Sequence, residues 1–446
     1  MIVSRTSRRT RTILLLSAIA LSCASAADHP VGSTDDFKTA VASAKPGDTI
    51  TLREGTWEDA DLLFEANGTA EKPITVQAAQ PGKTIFTGQT HLRIAGHHLV
   101  VSGLHFRKAW HKEDLIQFRR DSKLPSSDCR LTECAIVDCN APNGKAETRW
   151  IGLYGQRNRV DHCRIQGKTT KGTTLVVWLD GKTADHRIDH NYFGPRPVLG
   201  KNGGETIRVG DSKTSMQLCR TVVEANCFEQ CDGEAEIISN KSCGNIYRGN
   251  TFRRCAGALT LRHGNDCLVE GNFFFGENSK SAAGVRIIGE RHRVIGNYFQ
   301  DLGGIEGRAA LCFVNGLKDT PLNGYYQVRD AKITGNTWVN CRQPVYIGQM
   351  DEDAGNKQPV QGAVMSRNLI MGKTPAVTVG TPGEVTWDDN LVHPASAPDP
   401  AIPGLRAVEF KLEGDPVQVP ASDSPAYGYG FTLAKDAQGP ITSPLK

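Results

Sequence analysis

Short apolar runs with alternating polar positions recur along the chain, separated by turn residues. The clearest phrase is an apolar run, a turn residue, then Asn followed by an aromatic or aliphatic residue. It reads HNYF at 190–193, ANCF at 225–228, GNTF at 249–252, GNFF at 271–274, GNYF at 296–299, GNTW at 335–338, RNLI at 367–370 and DNLV at 389–392. The asparagines, Asn191, Asn226, Asn250, Asn272, Asn297, Asn336, Asn368 and Asn390, are spaced by 35, 24, 22, 25, 39, 32 and 22 residues. The short gaps give the unit; the longer ones are the same unit with an insertion. Weaker copies precede them: SGLHF (102–106), TECAI (132–136) and DHCRI (161–165). Each unit holds two or three β-runs, such as ALTLR and then CLVEGNFF, and no helical period lies between them. This predicts an all-β, single-stranded, right-handed parallel β-helix, one coil per unit.

In such a solenoid identical residues stack from coil to coil. The Asn column therefore reads as structural, its side chains bonding backbone at successive turns. Cys231, Cys255 and Cys341 each follow a column Asn by five residues and read as buried apolar positions. Cys231 and Cys255 fall one coil apart, about 4.8 Å, within reach of a disulfide. An open solenoid end needs a cap. STDDFKTAVASAK (33–45) supplies a short helix, capped by Ser33, Thr34 or Asp35, with Phe37, Val41 and Ala44 on one face. PGDTITLREGTW (46–57) then opens the first coil. The repeat fades into a Pro- and Gly-rich stretch. The expected organisation is a signal segment at 1–26, a β-helix domain at 27–395, and a tail at 396–446 packed on the helix.

Composition agrees with many tight turns: 46 Gly and only 7% aromatics in 446 residues. The N-terminus has Arg5, Arg8, Arg9 and Arg11, an apolar run from Ile13 to Leu21, and Ala24-Ser25-Ala26 as a small-residue cleavage site. The run is too short to span a bilayer. Ser7-Arg8-Arg9 faintly matches a twin-arginine signal, and Cys23 a lipidated cysteine. The expectation is a bacterial protein exported to the periplasm or medium, with neither membrane nor nucleic-acid partner, and monomeric. Removing 1–26 removes four arginines and no acids, which brings the formal charge from +4 to zero. A polyanion would therefore be bound by a local patch. Twelve cysteines remain of the 13. None forms a CxxC pair, which argues against zinc.

Strand alternation places the chemistry. In GEAEIIS (233–239), Ala235 and Ile237 point inward, so Glu234 and Glu236 point out. In GALTLRHG (257–264), Leu259 and Leu261 point inward, so Arg262 points out. In AGVRIIGE (283–290), Arg286 points out between Val285 and Ile287. Glu236 to Arg262 is 26 residues and Arg262 to Arg286 is 24, so one-coil stacking of the three is expected. Lys241 and His263 are expected just beyond their strands, at the rim. Asn202 leads KNGGETIRVG (201–210) one coil earlier. An outward Glu-x-Glu alone is usually a solvated sheet; beside two arginines, a lysine and a histidine it suggests a site. Two carboxylates and an amide oxygen form a hard donor set suited to Ca²⁺.

These segments, NGGETIRVG (202–210), GEAEIISNKS (233–242), ALTLRHG (258–264) and GVRIIGERH (284–292), occur in an order and spacing that resembles polysaccharide lyase family 6, the chondroitinase B and alginate lyase family, over about residues 30–395. The resemblance implies a pectin-lyase-like β-helix. It implies Ca²⁺ ligands at Asn202, Glu234 and Glu236, the Brønsted base at Lys241 and the acid at Arg262. It also implies substrate contacts at His263 and Arg286. The reaction implied is β-elimination across C4–C5 of a uronate, leaving a 4,5-unsaturated end.

Two other classes compete. A pectin-type hydrolase needs clustered aspartates, whereas Asp388-Asp389 lies in an Asn-turn copy and reads as structural. A non-catalytic glycan-binding β-helix would need no lysine beside a cation site. Within the lyase reading alginate is favoured and dermatan sulfate is the alternative. A sulfated chain needs further basic residues, for which Arg308 and Arg342 are candidates.

Overall fold

The repeat is set at one corner of every coil. The residue before each ladder asparagine has a left-handed backbone: His190 (φ 55°), Ala225 (52°), Gly249 (60°), Gly271 (59°), Gly296 (59°), Gly335 (63°), Arg367 (51°) and Asp389 (50°). Glycine takes this conformation without a Cβ clash, which explains the Gly-Asn pairs. The turn leaves backbone groups unpaired inside the molecule, and the Asn side chain pairs them. Asn250 Oδ1 accepts from the backbone N and Nδ2 of Asn226 (3.1 and 3.0 Å). Its own Nδ2 donates to the Val223 carbonyl (2.8 Å) and to Asn272 Oδ1 (3.0 Å). The same ladder runs unbroken from Asn191 to Asn390.

The computed structural model describes residues 26–142, 144, 146–277, 279–350, 355–432 and 439–440. The expected signal segment lies outside these residues except for Ala26. The chain winds as a parallel β-helix with three long sheets of 14, 13 and 14 strands. One coil contributes Val222–Glu224 to the first sheet, Cys227–Glu229 to the third and Glu236–Lys241 to the second, 13-stranded one. The Asn ladder lines the corner between the first and third sheets. Pairing between the strands of the three sheets is parallel throughout, and the small ribbon of Leu412–Glu413 and Val419–Pro420 is antiparallel. Inward residues repeat at the coil spacing. Phe193, Phe228, Phe252, Phe274, Phe299 and Trp338 form one stack with ring centroids 4.6 to 5.3 Å apart, the separation of neighbouring strands.

The helix Thr34–Ser43 closes the N-terminal end. Ser33 Oγ accepts from the Asp36 amide (3.1 Å), and Phe37, Ala40 and Val41 are buried. The first sheet nevertheless begins before the cap. Strand Asp28–Val31 pairs with Thr49–Leu52, ahead of the segment expected to open the first coil. At the other end Leu405–Ala407 pairs with Asn390–Val392. The chain then turns back over the outside of the third sheet, where Phe431, Val417 and Val419 pack on Phe273, Phe275, Tyr298 and Val339.

All twelve cysteines of the described residues are free thiols, eleven of them buried. Cys231 and Cys255 are neighbours, the Cys231 amide 3.5 Å from Cys255 Sγ, but no bridge joins them. The expected buried column is present and the disulfide within its reach is not. No helix among the described residues is long and apolar enough to cross a membrane.

Candidate active site

Three consecutive strands of the second sheet carry site residues, Glu236–Lys241, Ala258–His263 and Val285–Ile287, and the first of them pairs with Ile207–Gly210. Ile207, Ile238, Leu259 and Val285 stack inward, while Arg208, Ser239, Thr260 and Arg286 occupy the outward column. Register shifts between Glu236 and Ile238, and between Asn240 and Lys241, interrupt the pairing of the central strand with Ala258–His263. Glu236 therefore sits across from Ala258, Lys241 across from His263, and Arg286 across from Thr260. The expected one-coil stack of Glu236, Arg262 and Arg286 does not form: paired residues are 22 apart from Glu236 to Ala258 and 26 apart from Thr260 to Arg286, not the 26 and 24 that separate the three side chains in sequence. Ala235, expected inward, is partly exposed. Lys241 and His263 are the last residues of their strands rather than lying beyond them.

The residues nevertheless meet. Asn202, Glu234, Glu236, Lys241, Arg262, His263 and Arg286 all line one cavity of about 660 Å³, with Arg308, Asn323 and Tyr325.

Its carboxylate wall rests on the loop that carries Asn202. Buried Arg196 staples this loop: its guanidinium donates to the carbonyls of Glu205 (2.6 Å), Gly172 (2.9 Å), Thr170 (3.2 Å) and Gly203 (3.3 Å). Glu234 Oε2 then accepts from the Gly203 and Gly204 amides (3.0 and 3.2 Å). Burial, with the carboxylates of Glu205 and Glu236 nearby, holds the Glu234 carboxyl well above the usual carboxylate range. Glu236 accepts a hydrogen bond from Ser239 Oγ, and its other oxygen is 3.7 Å from Arg286 Nη2. No group of three or more His, Cys, Asp or Glu among the described residues stands in a metal-holding arrangement. A set of two carboxylates and one amide oxygen does not need one. Crowded carboxylates and hard oxygen donors fit a divalent cation that completes its shell with water or substrate oxygens.

The cavity also holds cationic groups. Arg262 Nη1 donates to the Gly324 carbonyl (3.0 Å), and its guanidinium lies 4.0 Å from the Tyr325 ring centroid. His263, expected at the rim, is only 1% exposed. Its Nδ1 is 2.9 Å from Ser215 Oγ and 3.0 Å from the Leu322 carbonyl, and Ser215 Oγ donates to that carbonyl (2.6 Å). A carbonyl only accepts, so Nδ1 carries the proton and Nε2 keeps a lone pair. Burial, then Arg262 and Lys241, push this imidazole down to about 3, so it is neutral near pH 7.

Several participants had no motif to betray them. Ser215, Leu322 and Tyr325 reach the site from segments inserted in the coils where the Asn spacing stretches to 35 and 39 residues; those long gaps are the only sequence signal. Glu205 sits two residues before a strand. Upstream on the same sheet, Tyr154 and Trp178 stack at 6.2 Å, with Arg119 3.7 Å over the tyrosine and Arg208 4.9 Å from the tryptophan. Of the two arginines considered for sulfate, Arg308 lines the cavity and Arg342 a neighbouring one.

The chondroitinase B family model matches residues 31–393. Among similar solved structures is the PL6 family alginate lyase AlyGC, 36% identical with a TM-score of 0.89, covering 92% of this chain. The chain spans only 57% of that lyase's length. A mannuronic acid specific polysaccharide family 6 lyase from human gut microbiota is 33% identical, with a TM-score of 0.78 over 86% of this chain and 91% of its own. A PL6 family polysaccharide lyase from Pseudopedobacter saltans is 27% identical, with a TM-score of 0.74 over 91% and 99%. No curated protein matches. With the match spanning the β-helix and every strand that lines the cavity, the chain belongs to polysaccharide lyase family 6, the chondroitinase B family.

Proposed function

We propose that the protein is an alginate lyase that cleaves poly-uronate by β-elimination, with Lys241 as base, Arg262 at the leaving oxygen, and Ca²⁺ held by Asn202, Glu234 and Glu236. The observation that carries this reading is that one cavity gathers the oxygen donors Asn202, Glu234 and Glu236 with Lys241 and Arg262.

Lys241 takes the C5 proton of the uronate. The C5–H electrons form the C4–C5 double bond as the C4–O4 bond breaks. Arg262, fixed by the Gly324 carbonyl and the Tyr325 ring, stabilises the charge leaving on O4 and can protonate it. Its high intrinsic basicity makes electrostatic stabilisation its main contribution. Neutral His263 presents Nε2 as an acceptor for a sugar hydroxyl, and Arg286 pairs with a substrate carboxylate. Ca²⁺, when bound, supplies charge stabilisation at the C6 carboxylate as the proton leaves. The basic and apolar segment at 1–26 supports an exported enzyme acting on a polymer outside the cytoplasm.

The likeness to an alginate lyase and to a mannuronic acid specific lyase supports alginate. A second reading, a chondroitinase B-type lyase on dermatan sulfate, draws on the matched family model and on Arg308 in the cavity. The test is ultraviolet absorbance of unsaturated product from poly-mannuronate, poly-guluronate, mixed alginate and dermatan sulfate, with and without chelator. Absorbance on an alginate polymer, abolished by chelator and restored by Ca²⁺, is expected. Turnover of dermatan sulfate alone would favour the second reading. Turnover that survives both full chelation and Lys241→Ala would overturn the mechanism.

A further inference from the structure

A second cavity of about 640 Å³ opens beside the first, lined by Lys280, Arg342 and Lys373 together with Asp301 and Gly303. Its loops follow third-sheet strands in four successive coils: Phe273–Phe275, Tyr298–Gln300, Thr337–Val339 and Leu369–Met371. The loops are docked on one another, the Arg342 amide donating to the Leu302 carbonyl (2.8 Å). The three cations are exposed, and among the described residues none of their side chains has a hydrogen-bond or ion-pair partner. One carboxylate, Asp301, faces them and accepts from Gln300 Nε2 (3.2 Å).

The two cavities share walls. Lys280 lines the second and the adjacent Ser281 lines the first; Gly303 lines the second, and Arg308 of the same loop lines the first. A chain leaving the catalytic cavity along the coil axis therefore passes over Lys280, then Arg342, then Lys373, across about 14 Å of successive coils. Three unpaired cations against one carboxylate suit a polymer that carries one negative charge on each unit. Among the described lysines only Lys171 has an ion-pair partner, so what marks this cavity is the clustering of three cations over successive coils rather than their being unpaired.

We infer that Lys280, Arg342 and Lys373 form a remote subsite that binds carboxylates of distal uronate units and makes affinity depend on chain length. The inference rests on the poly-uronate reading above. The test uses Lys241→Ala as a non-cleaving background, with and without Lys280→Ala, Arg342→Ala and Lys373→Ala together. Each is titrated calorimetrically with saturated oligo-uronates from dimer to octamer. Exposed pairs are individually weak, so the triple change should weaken octamer binding on the order of tenfold. It should leave the dimer unchanged, and added salt should narrow the difference. Equal affinities at every length would overturn the inference, as would an equal loss at every length. Wild-type protein that binds with this length dependence but forms no unsaturated product would overturn the lyase reading instead. The substituted positions are exposed, and an unchanged melting temperature confirms that the comparison is between folded proteins.

Discussion

Two corners of the same coil behave in opposite ways. At the corner between the first and third sheets one left-handed residue recurs, and in the eight coils from Asn191 to Asn390 an Asn follows it and bonds the next. At the corner between the third and second sheets, the loops differ in length and content from coil to coil, and they carry Asn202, Glu234, Lys280 and Arg308. Along the ladder the first corner keeps one residue type because each side chain satisfies backbone in neighbouring coils. The second faces solvent and has no such constraint. A solenoid thus keeps its frame at one corner and its chemistry on the second sheet and the two corners that flank it.

The sharpest test of this division is Lys241→Ala. Removing a general base should slow product formation roughly a hundred- to ten-thousand-fold, measured by ultraviolet absorbance, with thermal unfolding unchanged. A fall in stability of the same size as the kinetic loss would place Lys241 in the frame instead.

The converse test lies on the ladder. Asn250→Ala removes bonds to Asn226, Val223 and Asn272 and leaves buried partners unpaired. Denaturant unfolding should show a loss of about 3 kcal/mol, while the folded fraction keeps its turnover rate. A large kinetic effect without destabilisation would break the comparison.

Ser215→Ala probes the site's inserted segments, since it unties His263 and Leu322. Loss of one or two such bonds should lower kcat/KM about tenfold and barely move the melting temperature. A stability change without a kinetic one would make Ser215 a packing residue only.

The effect that is smallest near neutral pH, and grows only on acidification, comes from a buried histidine. His186 is fully enclosed, accepts from the Asn158 amide (3.0 Å), and is pushed by burial down to about 3 from 6.5. Between those values the unfolded chain binds a proton that the folded chain refuses, so stability falls as pH drops below about 6.5. His186→Gln should flatten this fall by close to one proton, about 1.4 kcal/mol per pH unit, measured by unfolding between pH 6.5 and 4. An unchanged slope would mean that this histidine is protonated in the folded protein.

The frame was legible because its signal repeats: one Asn every coil is read eight times over, and the capping helix shows its Ser33, Phe37 and Val41 locally. The seven expected site residues were legible as a set, since their strands are adjacent, and the structure gathers all seven in one cavity. Their stacking was not. Separations of 26 and 24 residues are not the paired offsets, which are 22 from Glu236 to Ala258 and 26 from Thr260 to Arg286, because the loops between strands change length from coil to coil. Tyr325, Leu322 and Ser215 were invisible because they meet their partners across 48 to 107 residues of chain, where no period or motif applies. The cysteine column was read correctly as buried, but proximity alone did not make Cys231 and Cys255 a bridge.

The returning tail has a mechanical consequence. A bare solenoid frays from its end, each coil held only by the one beneath. Here Gln418 bonds Tyr298 and Phe431 bonds Thr337 (3.0 and 2.7 Å), several coils back from where the helix stops. Peeling the last strand from the C-terminus therefore cannot proceed one rung at a time. The strap must first come off rungs far below, so the final coils detach together under load or not at all.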